Sequence, residues 1–592
     1  MRARSSDTFI RKGEISMFQF VPRPRRKHWL LACAAGATLL ASPALAQQVD
    51  SNKLLEIMVA KGLVTRAEAD AMIAEARTAA PEAQAQAQAL PPVPAGGVAA
   101  DGTQTIPYVP QVVREQLVEQ VRKELSTQAQ TQGWAKPGEL PEWTKRFTLS
   151  GDIRARADGL LMDSGNFTDF VDWSAINAGQ GFQANDGAPG YVNPPYLNAT
   201  RDRWAMRLRA RLGLKARIDD WISAELRIAT GNDSSPVSTN QTIGQHGEFG
   251  KYALWLDRAN IHMTPVEGVD VHVGRFANPF WTSTLQFDED LNFDGVALSS
   301  TGKVSDGIDL FANAGFFPLF NTSFDFGSRD AGVFGSKDRY LAAGQIGLEF
   351  HPGERLRLRL AGSYYRFENT QGEFSSPCAF DQDVCDTDAT RPTFQQFGNT
   401  ITALRNVTPN PAVAPGVSPE VQYFGLASKY EVVAARAEFD FGLTDRLSIR
   451  VDGDFIKNLA FDRSAVSKVA LNNYAPMVGT TGGGFAGGDK GWQARLSVGH
   501  LGRGMPQGDQ SIRKGDWNAH LGYRRIASDA TLDALADSDF GLGGTNMKGW
   551  FAGGAYGFAE NTAFGLRWLS ADEVAGPPLA VDHLLVDLTT RF

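Results

Sequence analysis

Residues Arg203–Ile218 read RWAMRLRARLGLKARI. One alternate set is Trp204, Met206, Leu208, Ala210, Leu212, Leu214, Ala216 and Ile218; the other is Arg203, Ala205, Arg207, Arg209, Arg211, Gly213, Lys215 and Arg217. Residues two apart on a strand share a face, so a strand here has one wholly apolar face and one strongly basic face. As a helix the same stretch would spread arginine round its circumference, because helical neighbours sit three or four apart. A wall of leucines toward lipid backed by arginines toward water is the pattern of a membrane barrel strand. One edge strand of an ordinary sandwich would also alternate, and the rest of the chain decides between the two.

Period-two segments recur from Arg146 to the end. They are Phe147–Asp158, Arg203–Ile218, Trp221–Thr230, Tyr252–Met263, Val269–Phe276, Phe293–Thr301, Ile308–Pro318, Leu341–Phe350, Arg355–Phe367, Val432–Phe441, Arg446–Lys457, Trp492–His500, Trp517–Ile526, Met547–Phe558, Thr562–Ser570 and His583–Phe592, sixteen in all. In Tyr252–Met263 the phase breaks at Asp257 and Arg258. Short links (Asp219-Asp220, Gly442–Asp445, Ala559–Asn561) take turns with long ones (Gly159–Asp202, Gly231–Lys251, Glu368–Glu431, Ala527–Asn546). A barrel with short periplasmic turns and long external loops predicts that order, and a sandwich does not. Leu501–Asp516 falls where a short turn belongs and is long. The fold class expected is all-β: a transmembrane antiparallel barrel of about sixteen strands with a short α-helical N-terminal periplasmic extension.

Ahead of the barrel, residues 1–46 read as a signal peptide: a basic cluster at Arg23, Arg25, Arg26 and Lys27, a short apolar run, and Ala44-Leu45-Ala46 as a cleavage site. That segment carries eight Lys/Arg and two acids, so the net charge falls from −8 for the whole chain to −14 once it is removed. An acidic exported protein is not a nucleic-acid binder by default. Residues 47–78 read as a helical hairpin, with Thr65-Arg66-Ala67-Glu68 a capping box for its second helix. Residues 79–110 form an Ala/Gln/Pro-rich linker, 111–145 a third helix and lead-in, and 146–592 the barrel. No segment after the signal offers a run of about 20 apolar residues, as a membrane helix would need.

The last strand places Leu584, Val586, Leu588 and Phe592 on one face. A terminal phenylalanine closing an alternating strand resembles the assembly signal of outer-membrane barrels, which makes Phe592 the expected assembly signal and the barrel-assembly machinery an expected partner. The layout as a whole resembles the bacterial putative-porin family: a helical extension, then Pro141-Glu142-Trp143, Gly151-Asp152-Ile153-Arg154, Gly274-Arg275-Phe276-Ala277-Asn278-Pro279-Phe280, Asp288-Glu289-Asp290-Leu291-Asn292-Phe293-Asp294-Gly295 and Gly543-Gly544-Thr545-Asn546. The resemblance covers roughly residues 50–592 and implies a barrel channel embedded in outer-membrane lipid. By analogy with porin-like barrels, which are often trimers, a homotrimer is an expected assembly, and the solute stays open.

The inward arginines are the main functional candidates. Phase puts Arg154, Arg156, Arg203, Arg207, Arg209, Arg211, Arg227, Arg355, Arg357, Arg359, Arg450 and Arg495 on the pore-lining face. Rows of fixed cations in a narrow aqueous channel attract anions; equally, they can pair with inward Asp152, Glu225, Asp440 and Asp452 and merely solvate the wall. The third external link, Ala277–Asn292, resembles the loop that folds inward in porins, with Asp288, Glu289 and Asp290 as constriction residues. Asp290-x-Asn292-x-Asp294-Gly295 echoes a calcium loop but lacks the acid at its twelfth position, where Thr301 stands. Cys378 and Cys385 sit in the longest late link, where an exported compartment permits a disulfide; two free thiols are the other reading. No metal-binding or nucleotide motif is complete, and neither a cofactor nor a catalytic set is expected.

The expected function is passive diffusion of small hydrophilic solutes or ions across the bacterial outer membrane. The alternative is a non-conducting, barrel-anchored tether linking outer membrane and cell wall.

Overall fold

A computed structural model describes residues 142–322, 335–476, 483–501 and 513–592, together with residues 120 and 123. The expected signal peptide, hairpin and linker lie outside the described residues; of the expected third helix only Gln120 and Lys123 are described, and both are helical.

Sixteen long strands form one antiparallel barrel. They are β1 (Phe147–Met162), β2 (Arg203–Arg217), β3 (Ile222–Ala229), β4 (Trp255–Val266), β5 (Val269–Ala277), β6 (Asn292–Ser305), β7 (Ile308–Phe320), β8 (Arg339–Gly353), β9 (Leu356–Glu368), β10 (Tyr430–Gly442), β11 (Ser448–Asn458), β12 (Lys490–Gly499), β13 (Trp517–Ile526), β14 (Met547–Ala559), β15 (Thr562–Glu573) and β16 (Ala580–Arg591). Each pairs with its neighbours in sequence, and β1 closes the ring against β16, from Asp152 opposite Arg591 to Met162 opposite Val581. The two-residue strand Gln241–Thr242, in the link between β3 and β4, adds to β2. Closure leaves no unpaired edge, which is what a sheet in hydrocarbon requires.

The deciding stretch orients as its period demands. On β2, Trp204 is 65% and Met206 61% exposed, toward the barrel exterior, whereas Arg209 is 6% exposed inside. The phase break on β4 is a β-bulge: Arg227 pairs with Arg258 and Ile228 with Leu256, skipping Asp257. A bulge sets two residues against one, so Asp257 and Arg258 both reach inward, to Arg227 and to Glu225. Most strand ends shift by one to a few residues from those expected, and one shift removes a residue expected on the pore-lining face. Arg355 lies in the turn between β8 and β9, exposed, and β9 begins at Leu356.

The interior is not uniformly wet. Phe280, Phe287, Phe293, Phe317 and Tyr365 pack edge to face at 5.0–6.0 Å where the loop between β5 and β6 enters the barrel, and Phe276 tilts against Phe317 at 6.3 Å. Edge-to-face rings add about 0.5–1.5 kcal/mol per pair beyond burial, so the loop has a rigid root. In the link between β9 and β10, Cys378 and Cys385 are disulfide-bonded, with Cα atoms 5.9 Å apart.

Candidate functional site

The inner face of β1 and β2 carries a lattice of opposed charges. Asp152 accepts from Arg211 at 2.6 Å and from Arg209 at 2.9 Å. Arg207 lies 2.7 Å from Asp158 as an ion pair, and Arg156 donates to Asp587 at 2.6 Å. Arg154 donates to Asn240 at 2.6 Å and lies 4.0 Å from Asp587. Arg203, at the long-link end of β2, is exposed. Cross-strand pairs place these groups within reach, since directly opposed residues on one face sit about 5 Å apart; Asp152 faces Arg211 and Asp587 faces Arg156, whereas Arg156 also faces Arg207 and Arg154 faces Arg209, so Asp158 reaches Arg207 diagonally.

A second lattice lines β9 to β12. Arg357 binds Glu438 and, at 2.5 Å, Asp440. Arg450 binds Asp440 at 2.6 Å, Arg495 binds Asp452 at 2.8 Å, and Arg436 binds Asp454 at 2.9 Å. Arg359 lies 3.5 Å from Glu349. On β3, Arg227 pairs with Asp257. Of the twelve arginines picked out by phase, Arg203 and the turn residue Arg355 are the two the geometry leaves at the rims.

The loop between β5 and β6, residues 278–291, runs inside the barrel. Trp281 donates its backbone N–H to Gln345 Oε1 at 2.9 Å, and Gln345 Nε2 donates back to the Trp281 carbonyl at 3.0 Å. Arg359 and Arg436 both stack on the Trp281 ring, at 4.4 and 4.7 Å from its centroid. Further along, Thr284 accepts from Arg524 on β13 at 2.5 Å. At the other end Asp290 lies 3.4 Å from both Arg209 and Arg211 and accepts from the Thr239 hydroxyl at 3.1 Å. One short loop therefore touches β2, β8 and β13, strands from opposite parts of the ring.

Its three acids differ. Burial opposes ionisation of Asp290, yet Arg209, Arg211 and Arg154 hold its carboxyl well below the usual carboxylate range. Burial, with Asp290 and Asp537 adding, pushes Asp288 well above that range. Asp288 is capped by the Ser538 N–H at 2.8 Å, while Glu289 is exposed. Asp290 and Asp294, the acids of the calcium-like stretch, are both committed to arginines, Asp294 to Arg275 at 2.5 Å.

A second inward loop, residues 527–546, carries acids that the sequence reading did not single out. Asp537 binds Arg524 at 2.8 Å; Asp539 binds Arg567 at 2.9 Å and Arg156 at 3.1 Å. The two loops meet where the Asp288 N–H donates to the Leu535 carbonyl at 2.9 Å and Gln286 donates to Thr531 at 2.9 Å. Asn399 and Thr400, from the β9–β10 link, fasten the same loop through Ser528, Asp529 and Thr531. The readable signal was the acid spacing Asp529, Asp533, Asp537, Asp539 in a link otherwise short of charge. At the short-turn end, Phe592 exchanges backbone hydrogen bonds with Gly151 at 2.9 and 3.0 Å, and its ring is exposed.

The family model described as Putative porin matches residues 49–592. No curated protein matches the chain. Solved structures similar to it include OprB of Pseudomonas putida, at 11% identity over 76% of this chain and 94% of that one, TM-score 0.38. The outer membrane channel DcaP of Acinetobacter baumannii is similar at 11% identity over 75% and 97%, TM-score 0.35. OmpF of Salmonella typhi, in complex with daunomycin, is similar at 10% identity over 75% and 97%, TM-score 0.34.

Proposed function

This chain belongs to the Putative porin family, and from that premise we propose how its lumen handles solutes. It is an outer-membrane β-barrel channel of the bacterial envelope. In our reading, small hydrophilic solutes diffuse down their gradients past a constriction made by the 278–291 loop, with Asp288, Glu289 and Asp290 at its inner edge. The inward arginines line that path, and no reaction is catalysed. The observation that carries this is the loop's span: Trp281 is clasped by Gln345 on one wall while Asp290 sits between Arg209 and Arg211 on another.

Because the arginines have carboxylate partners, the wall offers a transverse field and little net charge. Selectivity then follows width and dipole more than the sign of an ion. On the family resemblance we further propose a homotrimer, which light scattering of the folded protein would test.

Planar-bilayer recording checks the channel reading. The folded protein should give discrete conductance steps and a reversal potential near zero across a KCl gradient. Arg207→Ala combined with Arg209→Ala strips Asp158 of its arginine, leaving it the His583 contact at 2.8 Å, and Asp152 of one of its two arginines, and should move the reversal potential toward cation preference. A folded barrel that never conducts would sink the reading; an unmoved reversal potential in the double variant would remove the arginines from the path.

A further inference from the structure

Four adjacent strands, β11 to β14, carry the same two-residue device on their outer face. Ile456 and Met547 are buried inside at 1% exposure, and Arg524 is bonded within the lumen to Gln493 and Asp537. Alternation therefore turns Lys457, Arg525 and Lys548 outward; Lys490 follows, since it shares a face with the exposed Trp492 and not with the buried Gln493. Two residues deeper on the same face of each strand stands an aromatic ring: Phe455 below Lys457, Trp492 below Lys490, Tyr523 below Arg525 and Trp550 below Lys548. Trp492 and Tyr523 lie 5.6 Å apart and Tyr523 and Trp550 5.1 Å, so three of the rings are in contact, and Phe455 stands opposite Trp492 in register to extend the belt. Amphipathic aromatic belts sit at the level of the headgroups. All four cations occupy the ends of their strands that open into long links, the external side in the porin orientation on which this inference rests.

The cations are arranged at a cost to the fold. Lys457 is directly opposite Lys490, and Arg525 directly opposite Lys548. Like charges so placed repel, and none of the four forms an ion pair among the described residues. Asp572 is opposite Lys548 in register without closing to a salt bridge; on the other flank Glu431 is taken by Tyr364 and Arg366. Two outward cations elsewhere on the same rim are neutralised, Arg275 by Asp294 and Arg366 by Glu368, each at 2.5 Å. A lone exposed lysine needs no explanation, but four contiguous unneutralised cations above an interfacial belt do.

We propose that this row binds the phosphate groups of a phosphorylated glycolipid in the outer leaflet. Charge-assisted hydrogen bonds from lysine and arginine suit phosphate oxygens, and the belt beneath receives the acyl chains. The lipid supplies the negative charge that the protein withholds, and fixes one side of the barrel in its membrane.

The test uses the full-length folded protein in detergent, with lipid retention measured by native mass spectrometry. The probes are lipopolysaccharide, the same lipid after phosphatase treatment, phosphatidylglycerol and inorganic phosphate. We expect the intact glycolipid to bind at least about tenfold more tightly than the other three, and the variant Lys457→Gln, Lys490→Gln, Arg525→Gln, Lys548→Gln to lose that margin. Arg275→Gln with Arg366→Gln should change nothing. Heat-modifiable gel migration establishes folding; if the fourfold variant does not fold, the pairs Lys457→Gln/Lys490→Gln and Arg525→Gln/Lys548→Gln decide, each expected to weaken binding severalfold. Equal retention by wild type and variants, equal retention of the phosphatase-treated lipid or phosphatidylglycerol, or an equal loss in the Arg275/Arg366 control overturns the proposal. Bilayer conductance is read separately, so failure here leaves the channel reading standing.

Discussion

Two sets of inward arginines look alike in sequence and do different work. Arg357 and Arg450 find Glu438 and Asp440 on the neighbouring strand, so their lattice is closed within the wall. Arg209 and Arg211 share Asp152 on the wall but also reach Asp290, which arrives on a loop. Arg156 likewise divides itself between Asp587 on β16 and Asp539 on the second loop. Where the counter-ion resides decides the role. A strand-borne carboxylate makes the arginine part of the scaffold; a loop-borne one makes it a clamp that holds the constriction in place.

The sharpest way to break that contrast is to remove an arginine from each set. Arg357→Ala takes from Asp440 one of its two arginines and from Glu438 one of its three, in a buried site. Stripping one partner from such a network costs about 3–5 kcal/mol, so the denaturant midpoint of the barrel should fall markedly while single-channel conductance stays near wild type. If conductance changes as much as stability, the wall lattice is not mere scaffold. Asp290→Asn is the counterpart. It keeps the shape and removes the charge, and charge-assisted bonds are worth about 1.5–3 kcal/mol. The loss should fall on the loop alone, giving noisier and larger conductance steps with an unaltered unfolding midpoint. A quiet channel of wild-type conductance would mean that the aromatic root at Phe280 and Phe287 holds the loop unaided.

How much of this could be read beforehand follows from the same distinction. Strand period is a local property, so the alternation on β2, the inward phase of Arg154 and Arg156, and even the irregularity at Asp257 were visible in the letters. Period also misleads locally: Arg355, Arg357 and Arg359 alternate without a break, and nothing in that rhythm says that the turn takes Arg355. Pairing between a strand and a loop obeys no period. Asp539 is 383 positions from Arg156 in the chain, and only closure of the ring brings them together. The loop acids Asp288, Glu289 and Asp290 stood out because they are consecutive; the role of Asp537 and Asp539 did not, because their partners are scattered over β1, β13 and β15. The outward cations were equally invisible, since a lysine at a strand end is ordinary until its neighbours across three strand pairs prove to be cations as well.

The smallest expected effect concerns the second loop. Asp533 is 2% exposed, and burial, opposed by backbone hydrogen bonds from Asn399, Ala534 and Gln396, pushes its carboxyl up to about 7. A carboxyl raised above its unfolded value supports the fold fully below that unfolded value, and the support is lost as pH rises through the folded one. The contact between residue 399 and the 527–546 loop should therefore be tightest below about pH 4 and loosen between about pH 4 and 7. Hydrogen exchange of residues 530–536, normalised for the intrinsic pH dependence, should speed up across that window, and Asp533→Asn, neutral throughout, should flatten the response. Wall strands in the same experiment serve as the reference. If Asp533→Asn keeps the wild-type slope, the titrating group lies elsewhere, and Asp529, also raised by burial and only four residues away, becomes the group to replace. If the slope vanishes, the loop that supplies Asp537 and Asp539 to the arginine clamps is softer than the walls those clamps are built on, and the division between scaffold and clamp holds for the second loop as for the first.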